Sequence, residues 1–209
     1  MINKKLSIIT NFGCKNNCDY CVWKSHSFKD ILTSVESTDW DRLEEMIKVS
    51  PERISISGGG DPFYDYENNK EWWARLISIL DKYDKKISVH TRMNIPDEKL
   101  KIDKLVWSFD TLEELCDFKS DIPTRIAKVI TKDTTQEEIK GIIDIGNERD
   151  YQITFKQLHG REDNNNFLLL KNKYKDKTNV KFLTNKDYNI YFMPDNNIYI
   201  NFVFNENVV

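Results

Sequence analysis

The sequence contains no apolar run approaching the roughly 18 residues that a bilayer-spanning helix needs, so no membrane partner is expected. Nor does it open on a secretory leader, since the N-terminus runs straight into a short strand and a cysteine loop. A cytoplasmic protein is therefore expected. It has no excess of positive charge either. Lys and Arg total 31 against 34 Asp and Glu, a formal net charge of −3. A balance of that kind gives no support for a broad nucleic-acid footprint. No internal repeat, low-complexity segment or linker breaks the chain, and its 209 residues suit one domain over 1–209 with a substantial core. Cysteine is scarce: of four, Cys14, Cys18 and Cys21 are clustered and Cys116 stands apart. In a reducing compartment, clustered cysteines read as metal ligands in preference to disulfides.

What is present is a regular alternation of strand and helix signals. Leu6 to Thr10 reads as a strand leading into the cysteine loop. Ser37 or Thr38 is placed to cap a helix carrying Trp40, Leu43 and Ile47, with Thr38 and Asp41 as a weak capping box. Arg53 to Ser57 alternates as a second strand and enters Gly58-Gly59-Gly60-Asp61-Pro62. Trp72, Leu76, Leu80 and Tyr83 recur at helical spacing. Further strands are expected at Lys86 to His90, Leu105 to Phe109, Arg125 to Ile130 and Gln152 to Phe155. Between them fall a Pro96-led helical turn and helices opened by Thr111 and by Thr134 or Thr135. Phe167, Leu170 and Tyr174 mark a last helix.

Successive strand–helix units predict an α/β fold with a parallel sheet and right-handed crossovers. The tail differs: Val180 to Leu183, Asn189 to Phe192 and Ile198 to Phe204 are strand-like, with Pro194 to Asn197 as a turn. The expectation is a single-domain partial (β/α)6 TIM-like barrel, its core over about 4–176, with a C-terminal β-hairpin extension over about 178–209.

The cysteines stand in a C-x3-C-x2-C spacing, with Tyr20 just before the third. Thiolates select zinc or iron–sulfur clusters over hard cations. A [4Fe–4S] cluster normally takes four thiolates, so three leave one iron open, the arrangement that marks a reactive metal site. This loop resembles that of the radical S-adenosylmethionine (radical SAM) superfamily. The resemblance implies a [4Fe–4S] cluster on Cys14, Cys18 and Cys21 with SAM on the open iron. It implies reductive cleavage of SAM to a 5′-deoxyadenosyl radical, which abstracts hydrogen from a substrate. It also implies a six-unit partial barrel and an electron donor such as flavodoxin or ferredoxin.

In α/β folds ligands gather beyond the carboxyl ends of the strands. The Gly59-Gly60-Asp61-Pro62 stretch resembles the superfamily's Gly-Gly-Glu-Pro motif for the SAM amino group, with Asp in place of Glu. Tyr20 is expected to pack on the adenine, and Phe12 and Trp23 to form an apolar shell. Thr91, Arg92 and Ser108 are candidates for SAM's carboxylate or ribose, with Asp110 as competitor to Ser108. Lys128 is the candidate to neutralise the SAM carboxylate, provided Ala127 and Val129 face the helices. Lys156, Gln157, His159 and Arg161 are expected to hold substrate. Cys116 is expected to be a buried small side chain.

The substrate is expected to be small and polar, with nucleobase-like molecules among the classes that fit. The chain lacks the C-terminal cysteine cluster of many peptide-modifying relatives, and Cys14 lies too near the start for an N-terminal recognition domain. Two alternatives remain at this point. One is an activase that generates a glycyl radical on a partner enzyme. The other is a structural zinc module holding the metal with the three cysteines and a histidine such as His26.

Overall fold

The computed structural model describes residues 5–21, 37–98, 100–158, 165–184 and 189–199. Two compact units emerge, one formed by Met1–Asp103 with Tyr188–Val209 and the other by Lys104–Asp187. Both are α/β with predominantly parallel pairing.

The first unit contains strands β1 (Leu6–Gly13), β2 (Arg53–Gly60), β3 (Lys86–Thr91), β8 (Ile190–Phe192) and β9 (Ile198–Tyr199), in the spatial order β3-β2-β1-β8-β9. Pairs β1/β2, β2/β3 and β1/β8 are parallel, and β8/β9 is antiparallel. Helices α1 (Trp40–Val49) and α2 (Lys70–Lys82) supply the crossovers, the latter preceded by a 3₁₀ turn at Tyr66–Asn69. Apolar positions at helical spacing explain their seating: Leu43 and Ile47 on α1, and Trp73, Leu76, Ile79 and Leu80 on α2, are buried. The α1 cap is Asp39, whose side chain accepts from the Arg42 N–H at 3.1 Å. Thr38, expected there, instead accepts a hydrogen bond from Trp72 Nε1 at 2.9 Å. The segment after Pro96 forms turns, not a helix, held by the Leu100 N–H donating to the Asp97 carbonyl at 3.1 Å.

The second unit contains β4 (Lys104–Ser108), β5 (Thr124–Ile130), β6 (Gln152–Gln157) and β7 (Val180–Leu183), with α3 (Leu112–Asp117), α4 (Gln136–Glu148) and α5 (Asn165–Tyr174). Its strands run β7-β6-β5-β4, all parallel. Thr111 and Thr135 cap α3 and α4 through Glu114 and Glu138 N–H groups, as their sequence positions predict. The tail is redistributed. Val180–Leu183 is a further parallel strand beside β6, while the expected hairpin, β8/β9, joins the first unit through β1. Residues 200–204 of that hairpin lie outside the described residues. No helix among the described residues is long and apolar enough to cross a membrane.

Candidate functional site

The carboxyl ends of β1, β2 and β3 are tied together by one buried acid. Strand β2 runs on through its glycines to Gly60 because the chain has a second, distant glycine to pair with them. Thr10 pairs with Gly58 and Gly13 with Gly60, and between these two rungs the register slips. Asn11 and Phe12 thus oppose Gly59 alone, a bulge that bends β1 as it enters the cysteine loop. Gly60 has φ +138°, and a Cβ there would lie 2.1 Å from the Gly13 carbonyl oxygen. Only glycine permits both the dihedral and the approach.

Asp61 follows at once and is 4% exposed. Its N–H donates to the Gly13 carbonyl at 2.8 Å. Its carboxylate accepts from the Phe63 N–H at 3.0 Å, the Thr91 hydroxyl at 2.7 Å and the Arg92 N–H at 2.7 Å. Thr91 Oγ1 in turn accepts from the Met93 N–H at 2.8 Å. Asp61 and Thr91, read from the sequence as SAM-facing side chains, are therefore engaged with each other. Their hydrogen bonds fix the strand ends.

Arg92 carries the connection into the cysteine loop, its Nη1 donating to Cys18 Sγ at 3.4 Å. Cys14 Sγ accepts from the Asn16 N–H at 3.3 Å, and the Cys21 N–H donates to the Cys18 carbonyl at 3.2 Å. Cys14 is exposed, Cys18 and Cys21 are half-buried, and none is in a disulfide. Among the described residues, no three His, Cys, Asp or Glu side chains are gathered into a metal-binding group. The donor set is nevertheless chemically suited to an iron–sulfur cluster: three accessible soft thiols on one short loop, with a guanidinium beside one of them. Tyr20 is half-buried in the same loop. Phe12 packs edge-on against Trp72, ring centroids 5.1 Å apart. Trp23 and His26 lie outside the described residues.

In the second unit the strand-end candidates separate by face. Lys128 is buried, and its ammonium pairs with Glu138 of α4 at 2.8 Å and donates to the Asp110 carbonyl. Lys128 thus faces the helix, and Ala127 and Val129 lie on the opposite side, the reverse of the phase expected from the sequence. The strand is apolar on both faces, so alternation alone does not reveal which face a lysine takes. Ser108 is half-exposed at the end of β4, and the Asp110 N–H donates to Glu114 Oε2 at 3.0 Å. Lys156 and Gln157 end β6. Burial, and then the positive charge of Arg125, push the Lys156 pKa down. The residue is partly accessible overall. His159 and Arg161 lie outside the described residues. Cys116 is exposed, contrary to expectation, because the short α3 buries Leu115 instead. The sequence reading missed Gly13, whose signal was a glycine immediately before the first cysteine.

No family model matches the chain, and no curated protein matches it. Solved structures do. The chain is similar to the crystal structure of Streptococcus suis SuiB, with a TM-score of 0.53 and 16% identity, covering 87% of this chain and 49% of that one. SuiB bound to S-adenosylmethionine matches with a TM-score of 0.53 and 15% identity over 87% of this chain and 50% of that one. SuiB bound to precursor peptide SuiA gives 0.55 and 14% over 87% and 48%. The chain spans about half the length of these proteins. At such identities the likeness is one of fold.

Proposed function

We propose that the chain is a radical SAM enzyme. The observation that carries this reading is the three-cysteine loop leaving β1 at the point where Gly60, Asp61 and Arg92 meet, with Arg92 bonded to Cys18. The likeness in fold to a protein crystallised with S-adenosylmethionine supports it. When bound, a [4Fe–4S] cluster with SAM supplies one-electron cleavage of SAM and a radical that removes hydrogen from substrate.

The chain's own contribution is positional. Cys14, Cys18 and Cys21 would hold the cluster through its three closed irons. The Gly58–Gly60 backbone offers N–H and carbonyl groups for the amino-acid end of SAM, and Asp61 holds that backbone in register with β1 and β3 without spending its own charge on the ligand. Tyr20 would cover the adenine and keep water from it. Arg92 keeps Cys18 oriented and adds positive charge near the cluster. Ser108 remains a proposed SAM contact and Gln157, with Lys156, a proposed substrate contact. A small polar substrate is the proposed hydrogen donor, and a flavodoxin- or ferredoxin-type protein the proposed reductant.

Anaerobic reconstitution with iron and sulfide, followed by dithionite and SAM, tests the class directly. The expected product is 5′-deoxyadenosine, lost in Cys14→Ala, Cys18→Ala and Cys21→Ala. A fully loaded cluster that releases no 5′-deoxyadenosine overturns the proposal.

A further inference from the structure

A cavity of about 390 Å³ runs along the carboxyl half of β1, wholly within the first unit. Its walls come from stretches far apart in sequence: β1, the residues before α1, the turn leading into α2, and the turn between β8 and β9. Hydrogen bonds among these stretches hold the walls in place. Asn196 Oδ1 accepts from the Asp39 N–H at 2.8 Å, and its Nδ2 donates to the Ser37 carbonyl at 3.2 Å. The Asn196 N–H donates to the Met193 carbonyl at 2.9 Å. Trp72 is joined to Thr38 by the bond already described. The cavity is therefore preformed, as small-molecule sites usually are.

The lining divides by chemistry. Ile8, Ile9, Phe192 and Met193 give it an apolar side. Phe12 and Trp72, packed edge-on, add two aromatic rings. Asp65 brings a negative charge, and no lysine, arginine or histidine lines the cavity among the described residues. The Asp65 carboxylate accepts from a neutral group, Asn68 Nδ2, at 2.8 Å. Neighbouring Glu67 is by contrast paired with Lys70.

This combination selects a ligand. A carboxylate repels an anion, and aromatic rings attract a cation through their quadrupole. A wholly polar ligand would leave the apolar side in contact with water. A positive head on a hydrocarbon stem satisfies both parts of the lining.

We infer that this cavity binds an alkylammonium group, its stem against Ile8, Ile9, Phe192 and Met193 and its ammonium at Asp65. The group belongs to a free amine or to the lysine side chain of a peptide. The inference goes beyond the radical SAM reading and does not depend on it, because none of the loop cysteines lines the cavity.

The full chain is titrated with n-pentylamine, Nα-acetyl-lysine methylamide, n-pentanol and pentanoate. The readout is the indole N–H resonance of Trp72, assigned among the five tryptophans by its loss in Trp72→Phe. A saturable shift is expected with at least one amine, and the tighter of the two identifies the source. Pentanol is expected to bind about tenfold more weakly or worse, the equivalent of a lost charge-assisted contact, and pentanoate not at all. Asp65→Asn is expected to weaken amine binding about tenfold or more and to leave pentanol unchanged. Asparagine suits the left-handed backbone there, where φ is 52°. Glu67→Gln, which removes a charge outside the lining, is expected to bind as the parent does. No saturable shift with either amine, equal affinity for amine and alcohol, or undiminished amine binding in a folded Asp65→Asn protein overturns the inference. Should Asp65→Asn fail to fold, the comparison of amine with alcohol in the parent still decides. The titration uses neither SAM nor iron, so its failure and a failure of SAM cleavage are separate results.

Discussion

Thr91 and Asp61, at the ends of two different strands, are joined by a 2.7 Å hydrogen bond between buried side chains. The same carboxylate also receives two backbone N–H groups, so the acid of the glycine motif acts as a tie between strands. Asp61→Asn is expected to cost roughly 2–4 kcal/mol of folding stability, because the amide nitrogen would face a donor and the charge-assisted bonds would weaken. Thr91→Val is expected to cost about 1–3 kcal/mol. Urea titration of both single variants and the double variant checks this. Strict additivity would mean that the two side chains do not interact in solution.

Gly60 gives a sharper expectation. Alanine there meets both a φ of +138° and a carbonyl oxygen 2.1 Å from its Cβ. Gly60→Ala is expected to lose about 3 kcal/mol or more and to bind SAM more weakly. Thermal unfolding and SAM titration read the two effects apart.

The Lys128–Glu138 pair predicts an asymmetry. Its side chains are 11% and 22% exposed, so Glu138→Gln leaves a largely buried ammonium without its counter-charge, at a cost of about 2–4 kcal/mol. Replacing both, as Lys128→Met with Glu138→Leu, is expected to recover most of that loss. Denaturant midpoints of the two proteins compare them directly.

Lys156 sets a pH dependence of unusual sign. Its folded-state pKa is lowered by burial and by Arg125, so the unfolded chain binds the extra proton more readily. Stability from this group therefore rises with pH between the lowered folded value and the ordinary lysine value, and is least below the former. Lys156→Met removes the penalty. Its stability advantage over the parent is expected to be largest at low pH and to shrink as pH climbs toward the lysine range, measured by denaturant titration across pH. An advantage independent of pH would show that the ammonium is not buried.

Cys116→Ala separates the exposed cysteine from the loop. It is expected to leave iron and sulfide content unchanged after reconstitution, whereas Cys18→Ala removes the cluster. Metal analysis of the two proteins decides.

Much of this was written in local signals. Thr111 and Thr135 announce their helices because a cap is settled within four residues. The cysteine spacing is local in the same sense, and it is what the proposed chemistry starts from. What the sequence hid depends on distant partners. Strand β2 extends through Gly60 only because β1 bulges at Asn11 and Phe12 and brings Gly13 opposite it. Val180–Leu183 reads as part of a hairpin until β6 is seen beside it. On β5, Ala127 and Val129 are as apolar as Ile126 and Ile130, so nothing local tells Lys128 which way to turn. That single ambiguity moved Lys128 onto the wrong face.

The pairing of β1 with β8 imposes an order of events on synthesis. Leu6, Ser7 and Ile8 take their second neighbours from Ile190, Tyr191 and Phe192, nearly the whole chain later. Until those residues leave the ribosome, one edge of the strand that feeds the cysteine loop has no native partner, and a bare apolar edge invites pairing with other chains. Chains released before residue 190 are the ones expected to aggregate.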